Sequence, residues 1–217
     1  MFENIKGINT FTLKLIAILS MTIDHIGYLL FPKVTLLRIV GRIAFPIFAY
    51  LIAEGFVHTG DVKKYLLRLG IFAILSEIPY DLVISGNVLD LEQQNIFFTL
   101  FAGLLAISLV SKTKSIVLQF GSIAVIALLA EFIKVDYGSV GVMMIVLFYV
   151  FRERKTERFF IVAMLILLIP GSTALYALLS FIMIALHNKE QGPKMKWIFY
   201  LYYPVHLFIL YGIYVLI

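Results

Sequence analysis

Apolar residues run along this chain in long blocks, and the charged residues collect between them. A helix that crosses the hydrocarbon of a bilayer needs about 20 residues, roughly 17–25. The blocks predict an all-α protein, a polytopic membrane bundle of about nine transmembrane helices. They are Thr12–Phe31, Leu36–Val57, Tyr65–Ile84, Ile96–Val110, Ser115–Ile133, Gly138–Phe151, Phe159–Ile169, Thr173–Leu186 and Trp197–Ile217. The sixth to eighth are short, so they are tilted or include half-helices that meet inside the bundle. Pro170-Gly171 divides the seventh from the eighth, because proline interrupts the ladder and glycine tolerates the turn. If that turn were only a kink, the helices would number eight.

The links between blocks supply a test of direction. With the N-terminus cytoplasmic, the inner segments hold Lys6; Lys63, Lys64 and Arg68; Lys112 and Lys114; Arg152, Arg154, Lys155 and Arg158; and Lys189, Lys194 and Lys196. The outer ones hold only Lys33 and Lys134, and the acidic link Ser85–Asn95 falls outside. This is the positive-inside distribution. Merging the seventh and eighth helices would throw Lys189, Lys194 and Lys196 outward, which favours nine and puts the C-terminus outside.

Composition agrees with lipid as the solvent. The 217 residues are 62% hydrophobic and 14% charged, against about 45–50% and about 25% in a soluble domain. The net charge of +5 sits in links and forms no basic face, so nucleic acid is not expected as a partner. The absence of cysteine removes thiolate metal sites, cysteine nucleophiles and disulfides. The first block holds Asp24 and His25, is too long for a signal-peptide core and lacks a small-residue cleavage site, so it reads as a retained helix. No repeat, soluble domain or long linker appears. Residues 1–217 read as one domain in the cell membrane, with lipid as its surroundings.

Polar residues inside those blocks carry the chemistry, because each ionisable group is costly in a membrane. They are Asp24 and His25, Arg38, Arg42 and Glu54, Glu77 and Asp81, Asn95 and Thr99, Glu131 and His206, with Asp136 in a short link. Helix direction places most of them in the outer half, His206 near the middle and Glu54 near the inner end. Arg38/Arg42, Glu77/Asp81, Asn95/Thr99 and Tyr202/His206 are four apart and so share a face. The two forks either neutralise one another or hold a charged ligand, and Arg38, Arg42, Glu77, Asp81, Asn95 and Thr99 are expected to line one outer-half cavity. Neighbours on a helix diverge by about 100°, so Asp24 either supports His25 without a direct bond or serves a different partner such as Arg38 or Arg42. The plainer alternatives are a structural ion-pair network, interhelical hydrogen bonding at Asn95 and Thr99, a satisfied core histidine at His206, and interfacial or packing roles for Tyr200, Tyr202, Tyr203 and Tyr211. His58 and His187 read as incidental link residues. No P-loop, dinucleotide fingerprint, HExxH or serine elbow is present, and no metal site is expected.

Six segments carry a resemblance: "SMTIDHIGYLLFP" from Ser20, "RIVGRIAFPIFAYLIAEGFVHT" from Arg38, "SEIPYDL" from Ser76, "NIFFTLFAG" from Asn95, "EFIKVDYGSVGV" from Glu131 and "YYPVHL" from Tyr202. In this order they resemble the TraX family, whose known member is the membrane acetyltransferase of conjugative pilin in bacteria. That family is similar in turn to multi-span acyltransferases that draw on a cytoplasmic coenzyme A thioester. The resemblance implies acyl transfer, with acetyl-CoA as donor and a peptide amine, glycan hydroxyl or lipid headgroup as acceptor.

Such chemistry needs a general base and oxyanion stabilisation. His25 is the first candidate base, supported electrostatically by Asp24, and His206 is the second. Arg42 is the candidate for oxyanion or phosphate contact. Arg38, Glu54, Glu77, Asp81, Asn95, Thr99 and Tyr203 complete the binding set, and Lys63, Lys64 and Arg152–Arg158 are candidates for the coenzyme phosphates. Rows of intramembrane charge also suit a proton- or ion-coupled small-molecule transporter, although no internal repeat supports it. A scaffold or assembly factor is the third reading. The oligomeric state is left open by the sequence.

Overall fold

The computed structural model describes residues 7–169, 171–193 and 195–217. Lys6, Lys194 and the Pro170 half of the Pro170-Gly171 break lie outside the described residues, as does the side chain of Lys196. The chain forms α1 (Thr10–Leu29), α2 (Thr35–Gly41), α3 (Ala44–His58), α4 (Val62–Ile84), α5 (Ile96–Val110), α6 (Ile116–Phe132), α7 (Gly138–Val150) and α8 (Lys155–Ile166). A 3-10 helix (Ala174–Leu179), α9 (Ser180–Ala185) and α10 (Lys196–Leu216) follow. No strand occurs among the described residues, and two isolated bridges, Ile8–His187 and Gln94–Val135, stitch links together.

Two departures from the expected helices have local causes. Leu36–Val57 was expected as one helix, yet it breaks at Arg42-Ile43 between α2 and α3. Pro46 has no N–H for the carbonyl four residues back, which belongs to Arg42. The chain tightens there instead, with Ile43 N–H donating to the Val40 carbonyl. Thr173–Leu186 is likewise a 3-10 turn followed by six α-helical residues, not a continuous α-helix.

Successive helices alternate in direction, so the links fall at two ends. One end, here the basic end, gathers Lys63, Lys64, Lys112, Lys114, Arg152, Arg154, Lys155 and Lys189; the other holds Lys33 and Lys134 with Asp90 and Glu92. Helices α1 and α10 run parallel: Phe11 meets Phe199, Thr22 meets Tyr202, and His25 meets His206, so both numbers rise together. Helix α5 packs against α4, α6 and α7, and α3 packs against α1 and α7. Small residues let these helices approach. A Cβ at Gly41 would collide with the Asp24 side chain, and one at Gly103 with Ile145.

Among the described residues three helices are long and apolar enough to cross a membrane: Thr10–Leu29, Thr35–His58 taken through its break, and Trp197–Leu216. Four shorter apolar helices accompany them. The outer surface agrees with a membrane-associated protein. Along α6, Val117, Phe120, Val125, Leu128 and Phe132 are exposed, as are Leu67, Ile71, Ile74 and Ile78 along α4. A contiguous apolar face of this kind is unsound in water and expected in lipid.

Candidate functional site

The far half of the bundle, away from the basic end, holds most of the predicted polar residues. The structure pairs them differently from the expected forks. Asp24 of α1 takes both arginines of the next segment: Arg38 Nη1 donates to Oδ2 at 2.8 Å and Arg42 Nη2 to Oδ1 at 2.9 Å. Gly41 permits this by leaving room for the carboxylate between them. The Arg38 guanidinium also lies over the Tyr28 ring at 5.2 Å. Asp24 therefore serves arginine, one of the two roles that the divergence of helical neighbours leaves open.

Glu77 and Asp81 do not meet those arginines in any ion pair among the described residues. Glu77 accepts from the Asn95 backbone at 3.0 Å and from the Asn95 side chain, while that amide also donates to the Ala73 carbonyl at 2.7 Å. This joins α4 to the start of α5. Buried Asp81 accepts from the Asp90 N–H at 2.9 Å and anchors the long link. Thr99 donates to the Asp136 carbonyl, and Glu131 accepts from Ser139 at the start of α7. The acids and amides thus serve as interhelical and link fastenings. For the acids the physical reason is proximity along the chain: Glu77, Asp81 and Glu131 each find a donor within 18 residues, before they can reach across the bundle.

His25 and His206, considered as rival bases, are partners. His25 Nδ1 lies 2.9 Å from His206 Nε2, and His206 Nδ1 lies 3.0 Å from the Tyr202 carbonyl oxygen. A carbonyl only accepts, so the proton of neutral His206 is on Nδ1. Its Nε2 is then an acceptor, and His25 donates to it from Nδ1. The lone pair left over is on His25 Nε2. The chain of bonds fixes the tautomer that a general base requires. Tyr202 stacks on the His206 ring and bonds to Thr22, holding the two helices in register.

A cavity of about 520 Å³ rises from the basic end toward this pair. Its mouth carries Lys14, Glu54, His58, Arg68, His187 and Lys189; its far end is bounded by Met21, Ile96, Phe97 and Tyr203. Met21 lies one helical turn before His25. The Tyr203 ring is 6.1 Å from the His25 ring and 5.5 Å from that of His206. Arg38, Arg42, Glu77, Asp81, Asn95 and Thr99 are not among the residues that line this cavity, whereas Glu54 and Tyr203 are. Lys63 borders a separate groove with Lys112, and the Arg158 guanidinium covers the Tyr50 ring. The basic links named for phosphate contact therefore lie off the cavity.

His187 is also more than an incidental link residue. Its Nε2 is 3.0 Å from Thr10 Oγ1 and its Nδ1 2.9 Å from the Tyr50 hydroxyl, so it ties the start of α1 and the link after α9 to α3. Burial pushes its imidazole below the ordinary histidine range, with Lys189 adding to the effect. No spacing within one helix could have revealed it; its partners are more than a hundred residues away. Among the described residues no group of three or more His, Cys, Asp or Glu is placed to hold a metal.

A sequence model of the family described as "TraX protein" matches residues 10–214. The chain is 27% identical over 231 residues to the "Probable fimbrial assembly protein FimC, serogroup H1" of Dichelobacter nodosus, an alignment that covers 93% of this chain and 94% of that protein. It is 30% identical over 149 residues to an uncharacterized protein of Rickettsia prowazekii (strain Madrid E), covering 67% of this chain and 56% of that one. No solved structure matches the chain.

Proposed function

The chain belongs to the TraX family, and from that premise we propose that it is a membrane-embedded acyltransferase. It moves an acetyl group from acetyl-CoA on the cytoplasmic side to an amine or hydroxyl on the outer side. The basic end is the cytoplasmic end, and the chain crosses the cell membrane about nine times, with the short helices accommodated by tilt and local thinning. The parallel course of α1 and α10 supports an odd number of crossings. The name of the Dichelobacter nodosus relative supports a fimbrial subunit as acceptor.

The observation that carries this reading is the His25–His206 pair with its free lone pair on His25 Nε2, next to Tyr203, which lines the far end of a cavity open to the basic side. The acceptor attacks the thioester carbonyl while His25 Nε2 removes its proton. The tetrahedral intermediate collapses, the carbon–sulfur bond breaks, and the proton passes from His25 to the leaving thiolate. Acceptor plus acetyl-CoA thus becomes acetylated acceptor plus CoA. His206 keeps the imidazole oriented and accepts the strengthened Nδ1–H bond when His25 is cationic. The Arg38 and Arg42 guanidiniums, which share the Asp24 carboxylate, supply positive potential for the developing oxyanion, with Arg42 as the candidate contact.

The test is transfer by purified protein in lipid. A positioned base contributes about 10²–10⁴-fold, so His25→Ala is expected to lose that factor with insertion unchanged, and His206→Ala to lose less. A His25→Ala protein that transfers at the wild-type rate sinks the assignment. A wild type that consumes no thioester sinks acyl transfer itself and moves the transporter reading ahead.

A further inference from the structure

We propose that the cavity at the basic end is the seat of the acyl-CoA donor. The phosphates rest on Arg68 with Lys14 and Lys189, and the pantetheine arm runs up the cavity to His25. This rests on the acyltransferase reading and adds the place and the residues of the donor. Three observations carry it.

The first is charge. Among the described residues that line the cavity, three cations face one carboxylate, Glu54. The second is an unspent donor. Arg68 Nε is buried with no hydrogen-bond partner, although its guanidinium lies over the Tyr65 ring at 5.5 Å. No ion pair to Arg68 forms among the described residues. A buried donor left without an acceptor costs free energy, and a phosphate oxygen at the mouth removes that cost while matching the guanidinium fork.

The third is reach. Lys14 and His25 are both on α1, 11 residues apart, which is about 16 Å at 1.5 Å per residue. An acetyl group does not span that gap; the extended pantetheine arm between diphosphate and sulfur does. The wall along the gap is apolar and aromatic, with Ile18, Met21, Phe97 and Tyr203. This suits a thin flexible arm and keeps water from the thioester. The volume of about 520 Å³ lies inside the range of small-molecule sites, about 300–1,000 Å³, and leaves the adenosine portion at the mouth.

The experiment measures binding of CoA and of pantetheine, separately from transfer, in nanodiscs of phosphatidylcholine. Arg68→Gln is expected to weaken CoA binding roughly tenfold or more and to leave pantetheine binding unchanged. Transfer from acetyl-pantetheine, which lacks the phosphates, is expected to survive in Arg68→Gln and to be lost in His25→Ala. Lys189 is exposed, so Lys189→Gln folds and is expected to weaken CoA severalfold, which keeps the proposal testable if Arg68→Gln is unstable. CoA binding that is equal in wild type and both variants overturns the site while transfer keeps the enzyme reading. CoA bound in an Arg68-dependent way without any transfer keeps the site and overturns the chemistry. No CoA binding by the wild type overturns both. Anionic phospholipid that displaces CoA at equal or lower concentration makes this a headgroup site and overturns the proposal.

Discussion

Two sets of arginine sit in this bundle on opposite terms. Arg38 and Arg42 share one carboxylate, Asp24, at hydrogen-bonding distance in the far half. Arg68 lines a cavity with the Tyr65 ring beside it, a hydrogen bond to Tyr200, no carboxylate partner among the described residues, and a buried Nε that bonds to nothing. A cation that is neutralised inside the fold serves the fold first, because removing its partner leaves charge exposed to a medium that cannot solvate it. A cation that the fold holds without an anion is available to one that arrives later. The difference separates the residues that build the bundle from those that wait for a ligand, and the sequence marked only the first set as unusual, since Arg68 read as part of a basic inner segment.

The largest effect should come from breaking the neutralised set. Asp24→Asn keeps the shape and removes the charge, leaving two guanidiniums without an anion. A loss of about 3–5 kcal/mol is expected, read as a lower unfolding temperature in detergent, whereas Arg68→Gln should unfold near the wild-type temperature. Equal behaviour of the two variants would break the comparison. Next comes Gly41→Val, which forces a side chain into the Asp24 carboxylate. Overpacking of this kind costs about 1–3 kcal/mol, and a double variant with Asp24→Asn should be less than additive because both act at one contact.

A smaller effect is expected from pH at the basic end. His187 titrates below its ordinary value of 6.5 because it is buried. A depressed histidine contributes stability that is complete above 6.5 and lost as pH falls below it, since the unfolded chain takes up the proton first. The protection factors of the Ile8 and Asn188 amides, whose N–H groups bond to the Leu186 and Ile8 carbonyls, should therefore be lower at about pH 5.5 than at about pH 7.5, once the slower intrinsic exchange at low pH is divided out. Exchange at Asn95, in the far half, should not change in step. Smallest is Lys63→Gln. Lys63 borders a different groove, so CoA binding and unfolding should stay within about 0.5 kcal/mol of wild type; a loss equal to that of Lys189→Gln would dissolve the distinction between cavity cations and link cations.

Helices were legible because lipid-facing segments must be apolar over their whole length, and their ends were legible from the charged links. Within one helix, four-residue spacing also told which polar groups share a face, and the divergence of neighbours kept Asp24 from a direct bond to His25 and left arginine open to it. What no single sequence carries is which helices abut. The His25–His206 contact spans 181 positions, so two residues that are halves of one device looked like competitors. The same gap explains why Glu77 was set against arginine when Asn95 was its partner. The break at Arg42 was readable in principle from Pro46, four residues on; the cavity was not, since it exists only between α1, α3, α4, α5 and α10 and the link that precedes α10.

The parallel pairing of α1 with α10 also sets an order of events during synthesis. Asp24 meets its arginines only 14 and 18 residues later, so the first hairpin enters the bilayer with its charges already neutralised. His25 must wait for residue 206. At about 5–20 residues per second, the ribosome needs roughly 10–40 s to cover that distance. For that interval the nascent chain holds a folded hairpin, an open groove where α10 will lie, and an imidazole whose tautomer nothing has yet fixed. A product that stops short of α10 lacks the His206 that His25 bonds to, and so lacks the device on which the proposed chemistry depends.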